Sequence, residues 1–210
     1  MIKINLLALT GFGNEALKTL LKYKDKVSVV AIYTRAEKGE FPYYAEENIA
    51  RLAQRHGIKT FIVPSRGDWS IYEKVNLNLV VTFHRILRVK HLKMARYNIN
   101  IHPSLLPSYR GPTPTNWMVH NKEKLCGLSA HILTDEVDNG PIIFQKAYAL
   151  TAKTDYRLRR FLAKRVGAII NAIVKDFPDY CKVKSAFKES CYTSFYKAKV
   201  IKNERELYAK

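Results

Sequence analysis

The first 83 residues alternate between short apolar runs and segments with apolar residues at helical spacing, and this alternation limits the fold more than any other feature. Strands are predicted at residues 3–10, 27–33, 60–63 and 77–83. Helices are predicted from Asn14 onward and over residues 45–56. Strands that alternate with helices form parallel sheets with helices on their faces. The predicted fold is therefore α/β, with a Rossmann-like, mostly parallel sheet flanked by helices.

The second half of the chain continues this pattern to about residue 178. Residues 99–102 end a short strand, apolar residues alternate over 128–132, and residues 142–150 form a further strand. One long helix is predicted from Asp155 to just before Pro178, because apolar residues recur along one face. We therefore predict one domain over residues 1–178. The basic, tyrosine-rich residues 179–210 are predicted to be a C-terminal extension and not an independent domain.

The chain is strongly basic. Its 36 Lys and Arg residues and 18 Asp and Glu residues give a net charge of +18. Such a field concentrates anions, including phosphorylated metabolites, nucleotide-linked compounds and nucleic acids. A solvated basic surface without a specific partner explains the composition equally well, so the charge alone does not locate a site.

Several features favour a soluble protein in a reducing compartment. No stretch reaches the roughly 18 uninterrupted apolar residues of a membrane span. The N-terminus opens directly into a strand pattern and lacks the layout of a signal peptide. Three cysteines, an odd number without metal-like spacing, argue against a disulfide framework. A cytoplasmic protein without membrane contact is the prediction.

The segment from Asn100 to Gly111 is the most informative one for chemistry. It reads Asn-Ile-His-Pro-Ser-Leu-Leu-Pro-Ser-Tyr-Arg-Gly. Side chains two residues apart on a strand point to the same side, so Asn100 and His102 are predicted to face the same way. Pro103 helps to end the strand and leaves both polar groups at its carboxyl edge. A lone histidine at such a position would more often be structural, but the pair with the double-proline turn is less ordinary.

A second polar segment runs from Thr134 to Pro141 and contains three carboxylates within four residues. On composition alone this is an acidic turn between two strands, in which Asn139 and Gly140 make the bend. Carboxylates this close repel one another unless the loop pairs them or directs some of them outward. The segment becomes informative when it is considered together with the Asn100–Gly111 segment.

Together the two segments resemble the folate-dependent formyltransferase family. Its signature is Asn-x-His followed by Pro-Ser-Leu-Leu-Pro, and then an Asp-x-Gly loop some three dozen residues later. The resemblance extends from about residue 3 to about residue 175 and implies the formyltransferase fold. It also implies that Asn100, His102 and Asp138 are the catalytic residues.

The resemblance implies that 10-formyltetrahydrofolate is the formyl donor and that an amine attacks its formyl carbon. We expect Asn100, through its amide N–H, and a protonated His102 to donate hydrogen bonds to the oxyanion. Asp138 should favour the charged imidazolium and accept, directly or through water, the proton that the amine loses. Neither a metal nor a covalent enzyme intermediate is required.

The folate slot is also inferred from the resemblance. The segment at the end of the fourth strand, residues 83–87, is expected to form one wall and the loop over 134–138 another. The candidate folate-binding residues are Arg85, Ile86, Leu87 and Val137. Without the resemblance, Ile86 and Leu87 would be interpreted as core residues, and that alternative stays open for one of them.

The acceptor is the least determined part. Gly11, Gly13 and Asn14 lie at the first strand–helix turn, where backbone N–H groups bind phosphate in some α/β proteins, although turn glycines are a simpler explanation. Ser104 and Arg110 complete the candidate acceptor-binding set. A small anionic amine, a nucleotide-linked amino sugar, ranks first as acceptor.

Several alternatives to that acceptor and activity stay open. Glycinamide ribonucleotide ranks second and Met-tRNA third, so a nucleic-acid partner is not favoured. A formyltetrahydrofolate hydrolase and a non-catalytic folate- or RNA-binding protein also remain. The sequence leaves open whether the chain forms a homodimer.

Overall fold

The computed structural model describes residues 1–36 and 47–179. The chain begins with alternating strands and helices and then places two antiparallel strands before its last helices. In order, the elements are β1 (Ile2–Ala8), α1 (Phe12–Leu21), β2 (Val27–Thr34), α2 (Ile49–Arg55), β3 (Lys59–Ile62), β4 (Val75–Val81), α3 (Val89–Leu92), β5 (Ala95–His102), α4 (Pro114–His120), β6 (Leu125–Ile132), β7 (Ile142–Ala149), α5 (Asp155–Ala163) and α6 (Val166–Lys175).

All seven strands form one sheet in the order β3-β2-β1-β4-β5-β6-β7. The first five in this order pair in parallel, and β6 and β7 then pair antiparallel. The predicted α/β fold with a mostly parallel, helix-flanked sheet is confirmed. The strand order reverses between β1 and β4, and ligands of such sheets bind beyond the carboxyl ends of the strands next to that point.

Strand periodicity places the core on both faces of the sheet. Ile4, Leu6 and Ala8 of β1 belong to one buried cluster, whereas the intervening Leu7 belongs to a second cluster on the opposite face. Helices α1, α5 and α6 contribute to the first cluster, and α1 contacts both α5 and α6. A parallel strand that is buried on both faces has no polar side, which explains the nearly continuous apolar run in β1.

The single long helix that we predicted from Asp155 is wrong, because the structure divides it into α5 and α6. The break falls at Lys164 and Arg165. Arg165 donates from Nη1 to the carbonyl of Phe161 at 2.9 Å, and its guanidinium lies 3.4 Å from the centroid of the Phe161 ring. Apolar residues on both sides of the break stay buried, so the sequence pattern is continuous where the backbone is not.

Residues 180–210, and with them nearly all of the predicted C-terminal extension, lie outside the described residues. The domain boundary at residue 178 therefore stays a prediction, as do the cytoplasmic location and the homodimer. Within the part of the chain that the structure describes, no helix is long and apolar enough to cross a membrane.

Candidate active site

The ends of β5 and β6 bring three polar side chains together. Asn100 and His102 occupy the carboxyl end of β5, and the antiparallel register pairs Asn100 with His131 on β6. Directly opposed residues on neighbouring strands have side chains in contact distance. The loop between β6 and β7 then returns Asp138 to the same place. The predicted common orientation of Asn100 and His102 agrees with this arrangement, because both contact Asp138.

Asp138 is at the centre of the cluster. Its Oδ1 accepts a hydrogen bond from Nδ2 of Asn100 at 3.1 Å, and its Oδ2 lies 3.4 Å from Nδ1 of His102. The backbone N–H of Gly111 also donates to Oδ2 at 2.9 Å. Nε2 of His131 lies 3.5 Å from Oδ1. Four groups from three different segments therefore fix one carboxylate whose side chain is only 11% exposed.

The backbone around Asp138 is held in an unusual conformation. Asp138 has φ of 51°, a left-handed value that few non-glycine residues adopt. Two residues later, Gly140 approaches the preceding strand so closely that an added Cβ would lie 1.7 Å from the carbonyl oxygen of Ile132. Strained backbone of this kind clusters at functional sites. Gly140 is therefore required for the approach that directs Asp138 toward β5.

The acid–base properties of the pair differ in part from expectation. Burial opposes ionisation of Asp138, but the imidazoles of His131 and His102 and the N–H of Gly111 outweigh it and lower the pKa of Asp138 to about 2. For His102, desolvation by burial lowers the pKa, and it outweighs the opposing effects of Asp138 and of the hydrogen bond with the Tyr109 carbonyl. Asp138 favours the imidazolium as predicted, yet burial favours the neutral ring.

The hydrogen bonds of His102 define its tautomer. Its Nε2 lies 2.8 Å from the carbonyl oxygen of Tyr109, which accepts only, so Nε2 carries the proton. In the neutral ring, Nδ1 then presents its lone pair to the carboxylate of Asp138 at 3.4 Å. A proton added at Nδ1 would turn this repulsive contact into an ion pair with Asp138.

Asn100 contacts two protein groups through its amide nitrogen. Nδ2 of Asn100 carries two hydrogens, and it lies 3.1 Å from Asp138 Oδ1 and 3.0 Å from His131 Nε2. The role of Asn100 as an oxyanion donor stays a prediction.

A cavity of about 560 Å³ opens next to the cluster. Asn100, His102 and Asp138 line it, and its walls come from the segments over 83–87, 111–115 and 133–138. All four candidate folate-binding residues, Arg85, Ile86, Leu87 and Val137, lie on this one cavity. The expectation that segments 83–87 and 134–138 form walls of the same pocket agrees with the geometry, whereas folate binding itself stays a prediction.

The candidate folate-binding residues differ in environment. Ile86 is 66% exposed and Val137 is 39% exposed, so both present apolar surface. Leu87 is buried in the second core cluster, which matches the alternative that one of the two apolar residues of the 83–87 segment belongs to the core. Arg85 donates from both terminal nitrogens to the carbonyls of Pro64 and Gly67, each at 2.6 Å. Its guanidinium therefore holds a neighbouring loop in place.

The first strand–helix turn has structural explanations for each candidate residue. Gly11 has φ of 98°, and its N–H donates to Oδ1 of Asn14, whose Nδ2 in turn donates to the carbonyl of Glu47. At Gly13, an added Cβ would lie 2.6 Å from Cδ1 of Ile49 and would clash with it. None of Gly11, Gly13 and Asn14 lines the cavity, so their acceptor-binding role stays a prediction.

Ser104 and Arg110 also serve the loop after β5. Ser104 is fully buried, and its hydroxyl donates to the carbonyl of Ser108 at 2.7 Å. Arg110 donates from Nη1 to Oδ1 of Asn139, which joins this loop to the Asp138 loop. Neither residue lines the cavity, and a role in binding the acceptor stays a prediction for both.

Sequence reasoning missed two residues. His131 is fully buried and contacts both Asn100 and Asp138. The signal was available, because Ser129 and His131 alternate with the apolar positions of β6 and so share the face of β5's polar residues.

Arg159 of α5 also lines the cavity, and its Nε lies 2.8 Å from Oδ2 of the buried Asp155. No local pattern distinguished Arg159 from other basic residues. Among the described residues, no cluster of His, Cys, Asp and Glu could hold a metal ion.

The fold and the cluster define an α/β protein with a reactive polar group at the carboxyl edge of its sheet, next to an open cavity. Residues 8–167 match the family model described as formyl transferase. The chain belongs to that family, and the resemblance on which the sequence predictions relied is confirmed. Members of the family use 10-formyltetrahydrofolate as formyl donor.

Curated relatives are similar to this chain over part of their length. A methionyl-tRNA formyltransferase from Thermodesulfovibrio yellowstonii is 30% identical over 66% of this chain and 47% of its own. The mitochondrial formyltetrahydrofolate deformylase 2 of Arabidopsis thaliana is 29% identical over 65% of this chain and 44% of its own. The chain therefore spans about half the length of these relatives.

Solved structures share the fold. Glycinamide ribonucleotide transformylase 1 from Symbiobacterium toebii has a TM-score of 0.67 at 22% identity and covers 85% of this chain and 88% of its own. An N-formyltransferase from Helicobacter canadensis, solved with folinic acid and dTDP-3-aminofucose, has a TM-score of 0.66 at 18% identity. It covers 93% of this chain and 71% of its own. At these identities the likeness concerns the fold alone.

Proposed function

We propose that this chain is an N-formyltransferase that moves a formyl group from 10-formyltetrahydrofolate to a primary amine on a small anionic acceptor, a nucleotide-linked amino sugar. The observation that carries this proposal is the contact of Asp138 with both Asn100 and His102 at the edge of an open cavity. Membership of the formyl transferase family supports the reaction type.

The walls of the cavity suit a folate ring system. Ile86 and Val137 expose apolar surface beside the cavity, and Phe83 and Leu133 also line it. A flat, largely apolar ligand that covers exposed apolar side chains beside a concave site removes their surface from water, which favours binding. We therefore assign the space between the 83–87 and 133–138 segments to the pterin ring of the donor.

The His102–Asp138 pair supplies the proton transfers. In the reaction, a bond forms between the acceptor nitrogen and the formyl carbon, and the bond from that carbon to the folate nitrogen breaks. The attacking amine loses a proton and the leaving folate nitrogen gains one. The Nδ1 lone pair of His102, next to the carboxylate of Asp138, is suited to take up the first proton and return it as the second. While protonated, Nδ1 also stabilises the oxyanion.

Arg159 supports an anionic acceptor. It lines the cavity together with Thr10, Phe12 and Thr113, residues that do not belong to the proposed pterin walls. Its Nε contacts the buried Asp155 at 2.8 Å, so the side chain is anchored from one side. An anchored guanidinium is a suitable partner for a phosphate, because its remaining N–H donors match two phosphate oxygens. We assign this part of the cavity to the anionic portion of the acceptor.

Formyl transfer to an aminoacyl-tRNA is the second candidate, and two observations favour it. Curated relatives of about 30% identity are methionyl-tRNA formyltransferases. In addition, a groove along α5 is lined by Arg157, Arg160, Lys164 and Arg165 and by two aromatic rings. Among the residues that the structure describes, no acidic side chain lines this groove. Basic grooves with aromatic rings are typical of nucleic-acid surfaces, where phosphate contacts dominate the affinity.

One assay separates these activities. The protein is mixed with 10-formyltetrahydrofolate, and tetrahydrofolate, formate and formylated product are measured with amino-sugar nucleotides, glycinamide ribonucleotide or Met-tRNA as acceptor. We expect turnover with an amino-sugar nucleotide and a loss of about 10²-fold or more in kcat for His102→Ala. His56→Ala, which removes an exposed histidine away from the cavity, is the matched control. Formate release without any acceptor identifies a hydrolase, and no turnover of any kind contradicts the proposal.

The tRNA candidate has its own test. The triple variant Arg157→Glu, Arg160→Glu, Lys164→Glu reverses the exposed charges of the groove. Lys22→Glu, Lys24→Glu, Lys26→Glu makes the same change in net charge at exposed positions after α1. If a tRNA binds the groove, only the first variant weakens binding. The plot of log binding constant against log salt concentration should also become shallower, by about 0.9 in slope for each phosphate that the protein no longer neutralises. Equal effects of the two variants indicate non-specific attraction only.

A further inference from the structure

A three-residue segment of the loop after β5, from Tyr109 to Gly111, contacts both members of the His102–Asp138 pair through its backbone. The carbonyl oxygen of Tyr109 accepts a hydrogen bond from Nε2 of His102 at 2.8 Å. The backbone N–H of Gly111 donates to Oδ2 of Asp138 at 2.9 Å. The first contact favours a protonated imidazole and the second favours the carboxylate. The position of this segment therefore affects His102 and Asp138 together.

The backbone of the segment has an uncommon conformation at both ends. The φ angle is 61° at Tyr109 and 91° at Gly111, so both residues lie in the left-handed region. Glycine adopts such values readily, but a residue with a bulky side chain does so only where surrounding contacts hold it. Tyr109 is 7% exposed, and its side chain belongs to the first core cluster. The contacts of this side chain therefore help to keep the Tyr109 carbonyl directed at His102.

The phenol group of Tyr109 is anchored by the turn between α4 and β6. Its hydroxyl donates to Oε1 of Glu123 and accepts from Nδ2 of Asn121 at 3.1 Å. The turn is itself fixed, since the backbone N–H of Glu123 donates to the carbonyl of Met118 on α4 at 3.0 Å. A hydrogen bond to a carboxylate is stronger than one between neutral groups. Neither Glu123 nor Asn121 lines the cavity, so both act at a distance from the reactants.

We propose that Glu123 is a positioning residue for formyl transfer. Through the Tyr109 hydroxyl, it holds the Tyr109 carbonyl against Nε2 of His102, which keeps Nδ1 of that ring directed at Asp138. The inference rests on the proposed function, because it gives a distant carboxylate a role in orienting the base that takes up the amine proton. Small displacements of such a base are costly, since proton transfer requires hydrogen-bond geometry. A purely structural role would affect stability and leave the orientation of His102 unchanged.

The first test needs no substrate. In the full-length protein labelled with ¹⁵N, at a pH at which the ring is neutral, the ring nitrogen shifts of His102 report its tautomer. Loss of the signals in His102→Gln assigns them. We expect a ring protonated at Nε2 in the wild type. In Tyr109→Phe, which lacks only the hydroxyl, the two nitrogen shifts should move toward each other as the tautomers exchange. Unchanged shifts in folded Tyr109→Phe overturn the proposal, whether or not the reaction is observed.

The second test is kinetic and compares matched variants of the anchor. We expect Tyr109→Phe and Glu123→Ala each to lower kcat about tenfold, with the KM for the folate donor unchanged. Glu123→Gln keeps an oxygen that accepts from the Tyr109 hydroxyl, so it should restore most of this loss. The control, Tyr33→Phe, removes a buried tyrosine hydroxyl that accepts from the backbone N–H of Tyr72 at 2.9 Å. It should lower stability but not kcat.

Two kinetic results would contradict the positioning role. One is a kcat of Tyr109→Phe equal to that of the wild type. The other is an equal loss in folded Glu123→Ala and Glu123→Gln, because accepting from the Tyr109 hydroxyl would then not be the function of Glu123. If the wild type shows no turnover with any acceptor, the proposed function fails, and the ¹⁵N shifts of His102 alone decide whether the Tyr109 anchor positions the ring.

Discussion

Among single residues, Asp138 shows most clearly how the tertiary structure changes a side chain. An ordinary aspartate has a pKa near 3.9. The surrounding imidazoles and the N–H of Gly111 lower the pKa of Asp138 to about 2 despite its burial. A carboxylate whose pKa is lower in the folded state than in the unfolded chain stabilises the folded protein at every pH above its pKa in the unfolded chain. This stabilisation disappears as the pH falls through the pKa of the carboxylate in the folded state.

The first prediction concerns the pH dependence of stability. We expect Asp138→Asn to lower the free energy of unfolding by on the order of 2 kcal/mol at pH 7. The difference from the wild type should shrink as the pH falls from about 4 toward about 2. Denaturant unfolding at several pH values measures it. Asp135→Asn, an exposed carboxylate on the same loop, controls for the change in net charge. A difference that grows as the pH falls would contradict the assignment.

Neutral His102 also makes the folded protein more stable as the pH rises, but over a higher pH range than Asp138 does. Desolvation lowers its pKa from the ordinary value near 6.5, so the folded state prefers the neutral ring. The stabilisation from neutral His102 is therefore complete above pH 6.5 and decreases as the pH falls below it.

A second prediction concerns Gly140. We expect Gly140→Ala to destabilise the fold by about 3 kcal/mol, because its Cβ would lie 1.7 Å from the backbone oxygen of Ile132. Activity should fall as well, since the same turn positions Asp138. Thermal unfolding and the formyl-transfer assay measure the two effects. At Gly167, the atoms nearest to an added Cβ belong to the side chain of Thr19, with Oγ1 at 2.9 Å. Gly167→Ala is therefore the control, and an equal effect at both glycines would contradict this account.

Among the elements, β1, β4 and β5 are joined by an unusual feature, a row of asparagines inside the sheet. Nδ2 of Asn5 donates to Oδ1 of Asn78 at 3.1 Å, and Nδ2 of Asn78 donates to Oδ1 of Asn98 at 2.8 Å. The strand registers place these three residues side by side. A buried amide that loses its partners is unfavourable, so a shift of any strand by one residue would break the row. The row therefore helps to fix the register that aligns the strand ends at the site.

The third prediction concerns this row. Asn78 is fully buried, and its Nδ2 also contacts the carbonyl of His91 at 3.2 Å. We expect Asn78→Ala to lower the free energy of unfolding by about 3 kcal/mol, because it creates a cavity and leaves buried amides without partners. Denaturant unfolding measures the change. Asn171→Ala removes an exposed hydrogen bond with Tyr23 and should cost about 0.5 kcal/mol or less. Similar costs at both positions would contradict the role of burial.

For the whole molecule, the dominant property is a net charge of +18 on 210 residues. Charge of one sign destabilises the compact state by self-repulsion, and it attracts anionic ligands. Both effects are screened by salt, since the Debye length falls from about 10 Å at 0.1 M to about 3 Å at 1 M ionic strength.

A fourth prediction follows from this charge. We expect the Tm to rise between 0.05 and 0.5 M sodium chloride. Over this range the Debye length shortens from about 14 to about 4 Å, so the repulsion between the positive charges is increasingly screened. The groove variant with three charge reversals should show a smaller rise, because it carries less positive charge. Differential scanning fluorimetry measures both. A Tm that falls with salt would show that ion pairs outweigh the repulsion.

Much of the fold and part of the site could be predicted from the sequence. Apolar runs that alternate with segments of helical periodicity were sufficient to predict the parallel sheet. A buried strand and an amphipathic helix each have a local sequence pattern. Asn100, His102 and Asp138 were identified from their motifs. The break at Arg165 was not predictable, since the buried apolar stripe continues across it. Arg159 and His131 were missed because contacts with distant segments, and not neighbouring residues, bring them to the cavity.

The sequence by itself determined the α/β class, the family and the residue types available for chemistry, because these depend on local periodicity and on short motifs. Only the tertiary structure decided which of these residues meet. It joined Asn100 to His131 across two strands and enclosed Asp138 between two histidines and a backbone N–H. It also reversed the expected preference of His102, since burial outweighs the neighbouring carboxylate in setting the pKa. Desolvation and hydrogen-bond partners depend on segments far apart in the chain, so no local pattern records them.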